Sequence, residues 1–176
     1  MEKKNEIYLR ALEPDDYRQT IGWRNDAGLW NMLGGMRRFV AAAYEKNWME
    51  EAACGSGDAD VRLAICLAQT GQMIGIVSAT AINRVNGSCV SHLMIGDPAS
   101  RGRGYGSEAL RQMARYMIDE QRIHRFEAKV LADNVASIRA LEKVGYRREG
   151  LLRESVFKEG RFQDQVVMAL LAPELR

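Results

Sequence analysis

The sequence predicts an α+β fold: one mostly antiparallel, twisted sheet of about seven strands with about four helices. Two observations lead there. Short apolar runs rich in β-formers are separated by turn signals, and longer segments repeat their apolar residues at helical spacing. Placed in order they read β-α-α-β-β-β-α-β-α-β-β. A chain of 176 residues is long enough for one sizeable core and short for two, so residues 1–176 read as a single domain.

Each element has its own signal. In "IYLRAL", Ile7, Leu9 and Ala11 alternate on one face of a first strand. In "EPDDYRQTIGW", Pro14 and two acids open a helix, where a missing N–H and negative charge are tolerated, and that helix is expected to end near Trp23. Asn25 to Met36 holds three glycines and no clean period, so it reads as irregular. A second helix is expected over Val40 to Ala53, closed by a "CGSGD" loop. "VRLAICLA", "MIGIVSATAI" and "SCVSHLMI" follow as three antiparallel strands, with Asn86-Gly87 the strongest two-residue hairpin signal in the chain.

Beyond these, Ala109, Leu110, Met113, Ala114, Met117 and Ile118 recur on one face of an amphipathic helix. "RFEAKVL" alternates as a strand. "ADNVASIRALEKVG" has Asp133 or Asn134 as cap, Ile138, Leu141 and Val144 turned inward, and Gly145 as its stop. The tail forms two long strands around a turn at Lys158-Glu159-Gly160.

Composition excludes several classes. The chain is 47% hydrophobic and 27% charged, ordinary for a globular protein, and its net charge of +2 is too small to argue for a nucleic-acid partner. An arginine stripe of Arg101, Arg103, Arg111 and Arg115 is the one local feature on which such a partner would rest. Cys54, Cys66 and Cys89 are odd in number and form no C-x-x-C pair, which favours free thiols in a reducing cytoplasm. "MEKKNEIYLR" has no apolar core, and no apolar run approaches the length of a membrane span. The expected location is therefore cytoplasmic. His92 and His124 are the only histidines, with no Cys at ligand spacing to either, so no metal site is expected.

The stretch "RGRGYGSEALRQM" carries the chemistry. A strand ending at Ile95, a bend "GDPAS" and then three glycines opening a helix would aim unpaired backbone N–H groups, and the positive end of the helix, at an anion. The spacing is neither a Walker loop, which needs a Lys after the last glycine, nor the G-x-G-x-x-G of dinucleotide folds. Taken alone it serves a phosphate loop or a tight connection alike.

Arg101-Gly102-Arg103-Gly104-Tyr105-Gly106 resembles the Q/R-x-x-G-x-G/A signature of the GNAT superfamily of N-acetyltransferases. "YLRALEPDDYRQTIGWRND", "GYGSEALRQMARYMID", "DNVASIRALEKVGYRREGLLRE" and "KEGRFQDQVVMAL" are similar to its ribosomal-protein N-terminal and spermidine acetyltransferase branch. The resemblance covers most of the chain and leaves residues 27–60 unmatched. It implies a GNAT-like mixed sheet with a central parallel pair, the strand ending near Ile95 and "RFEAKVL", splayed around acetyl-CoA.

On that resemblance, backbone groups around Leu93, Met94 and Ile95 hold the pantetheine arm. The N–H groups of Arg101, Gly102, Arg103, Gly104, Tyr105 and Gly106, with Ser107, take the pyrophosphate, and the two arginines add charge-assisted contacts. Asn134 bonds the pantetheine from the other side or serves only as a helix cap.

The implied reaction is direct attack of a primary amine on the thioester in a ternary complex. The acceptor is a small molecule or a protein N-terminus: a polyamine, an amino sugar and an aminoglycoside all remain open. A homodimer is left open too. The family's frequent tyrosine donor is replaced by Leu141, which nominates Ser137 as proton donor or partner of the sulfur, against a plain capping role. The frequent strand glutamate is also missing, with Val90 and Ser91 at its positions. His92 beside them is nominated as base, with Glu154 and water as competitors. The segment Asn25 to Tyr44 and the turn before Arg161 would line the amine pocket. These departures from the pattern keep a non-catalytic acetyl-CoA-binding module as the alternative.

Overall fold

A computed structural model of the chain describes residues 6–55 and 59–176. The start of the charged N-terminal stretch and the middle of the expected "CGSGD" loop lie outside the described residues. Seven strands form one sheet: β1 (Ile7–Ala11), β2 (Val61–Leu67), β3 (Met73–Asn83), β4 (Ser88–Ile95), β5 (Arg125–Leu131), β6 (Arg147–Lys158) and β7 (Arg161–Leu171). Their spatial order is β1-β2-β3-β4-β5-β7-β6, and only β4 and β5 run parallel. The helices are α1 (Tyr17–Asn25), α2 (Ala27–Met32), α3 (Ala42–Ala53), α4 (Tyr105–Gln121) and α5 (Val135–Val144).

The sheet separates two apolar clusters. On one face α4 buries Ala109, Leu110, Met113, Ala114 and Met117, the residues whose spacing predicts it, and α5 adds Ile138, Leu141 and Val144. Each large side chain removed from water there contributes about 1.5–3 kcal/mol before entropy is counted. On the other face α1 to α3 pack Trp23, Leu29 and Met49 over Ala64, Cys66, Met73 and Ile76. Cys66 and Cys89 lie inside these clusters, whereas Cys54 ends α3 in the open; all three thiols are free.

Three boundaries differ from expectation. Pro14 to Asp16 is a 3-10 turn rather than the start of α1, because the Asp16 carboxylate accepts the Glu13 N–H at 2.8 Å and is gripped by Arg10. The stretch expected to be irregular contains α2, whose N-cap Asp26 accepts from Leu29 N–H at 3.2 Å. The Asn86-Gly87 hairpin exists, yet β3 stops at Asn83 and its ladder with β4 is broken after Thr80, where Ala81 has a φ of 51°. The connection is therefore residues 84–87, longer than a two-residue turn. Gly87 also ties the hairpin forward, its carbonyl accepting from His124 N–H at 2.7 Å and Arg125 N–H at 3.0 Å.

That anchor starts the parallel pair. It lasts for three rungs, Ser88, Cys89 and Val90 against Arg125, Phe126 and Glu127, and then the strands part. At the parting point the hydroxyls of Ser91 and Tyr146 bond at 2.7 Å, both buried on the α4 and α5 side. Burial pushes the Tyr146 phenol well above its ordinary range, so it stays protonated. Past Val90 the sheet is open, and the open part is where the functional site lies.

Candidate active site

The glycine stretch forms the N-terminus of α4. Gly104 is its N-cap with a φ of 87°, and Gly102 has 74°, conformations in the left-handed region where glycine meets no side-chain penalty. Helix hydrogen bonding into the loop starts with Glu108 N–H on Gly104 O at 3.1 Å. The N–H groups of residues 102–107 have no acceptor among the described residues. A row of N–H groups without protein acceptors at a helix N-terminus is an anion cradle, and it fits a diphosphate. A cavity of about 480 Å³ lies over it, with Arg103, Arg139 and Lys143 on its wall.

Arg101 departs from its expected role. Its Nε donates to Ile95 O at 3.0 Å and an Nη to Gly96 O at 2.9 Å, so the guanidinium closes off the end of β4. Gly96 itself is fixed by Trp23: a Cβ there would come within 1.9 Å of the indole. Trp23 is thus a core residue that seats the strand end. Met94 also departs. Gly96 N–H bonds Ile74 O, and antiparallel alternation then directs the backbone groups of Met94 toward β3 and those of Leu93 and Ile95 toward the gap. Leu93 and Ile95 fit the expected backbone contacts, and Met94 supplies a side chain to the opposite face.

A second cavity of about 720 Å³ shares Met32, Leu33, Leu93, Met94, Asn134 and Ser137 with the first. Leu110, Ala128 and Leu141 line it from one face of the sheet and Ile76, Ser78 and His92 from the other, so it passes through the gap between β4 and β5. Both nominated catalytic residues stand in it. Ser137 lies in the first turn of α5 on the wall common to the two cavities; its N–H is capped by Asn134 Oδ1 at 3.1 Å, and its hydroxyl has no protein partner among the described residues.

His92 points to the α1 to α3 side, where Arg62, Ser78 and His92 form one cross-strand row. Its Nε2 pairs with the Thr80 hydroxyl at 2.8 Å. Desolvation by the cavity walls lowers its pKa below the ordinary value of about 6.5, and the Arg62 charge pushes the same way against Asp60. The ring is therefore neutral at pH 7 and able to accept a proton. Glu154, the competitor, stands exposed on β6 with a φ of 49° and lines neither cavity.

Asn134 does more than cap. Its Nδ2 donates to Met32 O at 2.8 Å, joining α5 to the segment at the C-terminal end of α2. The same segment is held from β6 by Lys158, whose Nζ donates to Trp30 O at 2.6 Å and Gly35 O at 2.7 Å. Residues 30–35 thereby form a strap along the cavity, with Trp30, Met32, Leu33, Gly34 and Gly35 on its wall. Tyr44, at the end of the expected pocket segment, is exposed and takes no part. The turn before Arg161 acts through Lys158 and through the Glu159 carboxylate, which accepts from Asn31.

Sequence reasoning gives no role to two groups. Arg24 lies against the Trp48 ring at 4.3 Å, and its Nε donates to both carboxylate oxygens of Glu45 at 3.1 and 2.9 Å. Glu45 is fully buried and also accepts from Thr20 at 2.6 Å. Glu127, opposite Val90 on the last parallel rung, faces the cavity with one carboxylate oxygen accepting from Arg125 at 2.9 Å. The i, i+2 alternation of "RFEAKVL" predicts Glu127 and Lys129 on one face, but carries no signal that a cavity lies there.

Among the described residues no three His, Cys, Asp or Glu side chains are placed to hold a metal ion, and no helix is long and apolar enough to cross a membrane. Residues 6–147 match the acetyltransferase (GNAT) domain family. A probable N-acetyltransferase of Bacillus subtilis is 30% identical over 99% of this chain and 98% of its own length. A ribosomal protein uS5 alanine N-acetyltransferase of Escherichia coli is 34% identical over 42% of this chain and 38% of its own. In structure, the spermidine N-acetyltransferase of Vibrio cholerae in complex with CoA and spermine superposes with a TM-score of 0.86 at 23% identity, covering 96% of this chain and 97% of that one.

Proposed function

The chain belongs to the GNAT acetyltransferase family, whose members use acetyl-CoA, and from that premise we propose that it transfers the acetyl group to a primary amine by direct attack in a ternary complex. The observation that carries the reading is the continuity of the two cavities through the gap between β4 and β5. One cavity offers an anion cradle for the donor, the other a separate chamber for an acceptor. The shared wall is where they would meet.

Acetyl-CoA, when bound, supplies an activated acyl group. The N–H groups of residues 102–107 would hold its diphosphate and the backbone of Leu93 and Ile95 its pantetheine arm. A primary amine with a pKa near ~10 arrives protonated. His92, neutral and hydrogen-bonded to Thr80, would take that proton, directly or through one water. Ser137, with its hydroxyl unengaged on the common wall, would donate to the sulfur as it leaves.

Release of free thiol from acetyl-CoA, followed with a peptide N-terminus, spermidine and an amino sugar and confirmed by the mass of the acetylated product, tests the proposal. Acetyl-CoA binding without thiol release for any amine would overturn it.

A further inference from the structure

The cavity-facing charges of the acceptor chamber are mainly cationic. Arg24, Arg62 and Lys129 line it against the single carboxylate of Glu127, while the acids that balance the two arginines, Glu45 and Asp60, are absent from its wall.

Arg24 is the most specific of these groups. Its Nε is committed to Glu45, which is itself locked by Thr20, and its plane is held by Trp48. Its two Nη groups have no partner among the described residues, although only 21% of the side chain is exposed. A guanidinium fixed at one edge, supported by an indole and presenting its remaining N–H groups to a cavity is a preorganised fork for a planar oxyanion. Glu127 complements it with opposite charge, its second carboxylate oxygen having no partner among the described residues, beside the rung where the strands part.

We infer that the acceptor is a small primary amine that carries a carboxylate, the carboxylate bound by Arg24 and the ammonium end drawn to Glu127. The inference rests on the acetyl-transfer reading for its chemistry, while its own claim concerns recognition. The strap of residues 30–35 bounds the chamber on one side.

Calorimetric binding in the presence of CoA reads this directly, using glycine, β-alanine and γ-aminobutyrate, each against its carboxamide, with putrescine as a diamine. The expected result is at least one carboxylate binding about tenfold or more tighter than its carboxamide, with putrescine weakest. In Arg24→Met combined with Glu45→Gln, which avoids leaving a buried carboxylate unpaired, that preference falls to within about twofold. Arg24→Lys, which keeps charge and loses the fork, is expected to lose most of it. Carboxylates binding no better than carboxamides in the parent protein, or a preference unchanged in both variants, overturns the inference. Carboxylate-selective binding with no thiol release supports it and overturns acetyl transfer; thiol release from putrescine or carboxamides without carboxylate preference does the reverse.

Discussion

The side-chain amide of Asn134 bonds in two directions, its Oδ1 accepting from Ser137 N–H at 3.1 Å and its Nδ2 donating to Met32 O at 2.8 Å. Asn134→Ala removes both bonds, and loss of the cap alone costs about 1 kcal/mol. Asn134→Asp keeps the cap and loses the donor to Met32. Denaturant melts are expected to show the Ala variant destabilised by at least that amount, and the Asp variant destabilised through the carboxylate oxygen it sets against Met32 O while its cap survives. Acceptor KM is expected to rise in both, because both untie the strap.

If His92 is the base, as proposed, it sets a pH dependence. Its pKa is lowered, first by desolvation and then by Arg62, so the acid limb of kcat/KM is expected below the ordinary ~6.5. Arg62→Ala removes a positive neighbour and moves the limb to higher pH. His92→Ala abolishes it, and a limb unchanged in that variant would remove His92 as base. Stability follows the same sign: between the lowered and the ordinary value the unfolded chain binds a proton that the folded protein refuses, so acidification through that window destabilises the fold.

Ser137→Ala tests the donor role. Turnover is expected to fall about tenfold or more, with acetyl-CoA KM within about twofold, since the proposed role needs the hydroxyl as the sulfur leaves and not for binding. The capping bond to Asn134 uses the Ser137 backbone N–H and survives the substitution. An unchanged kcat would assign Ser137 to the helix alone.

Lys158 is buried, and desolvation lowers the pKa of its amine. Lys158→Ala leaves the carbonyls of Trp30 and Gly35 without their donor, at about 1–3 kcal/mol for each that stays dry. The expected outcome is a lower melting temperature together with a raised acceptor KM and an unaltered acetyl-CoA KM. A change confined to acetyl-CoA would contradict the strap.

What was legible in the sequence was local. The apolar face of α4, the alternation of β5 and the cap and stop of α5 lie within single segments, and each forms as its period dictates. Helix α2 was hidden because Gly28 and short length leave no measurable period, although Asp26 ahead of Leu29 was a usable cap signal. The donor loop could be read because its glycines and helix adjoin. The acceptor chamber could not, since Arg24, Trp48 and Glu127 come from three elements and line one cavity only once the helices pack on the sheet. Nor could Arg101's role, which the backward turn to Ile95 O decides.

The placement of the thiols has a practical consequence at the bench. A reagent that titrates the thiol released from acetyl-CoA will also meet the protein's own cysteines, and here burial sorts them. Cys89 is 2% exposed with its thiol pushed up to about 12, Cys66 is fully buried and also raised, and Cys54 stands in the open at the end of α3. Folded enzyme should consume one equivalent promptly and unfolded enzyme three. That difference makes the same colour reaction a gauge of how much of a preparation is native.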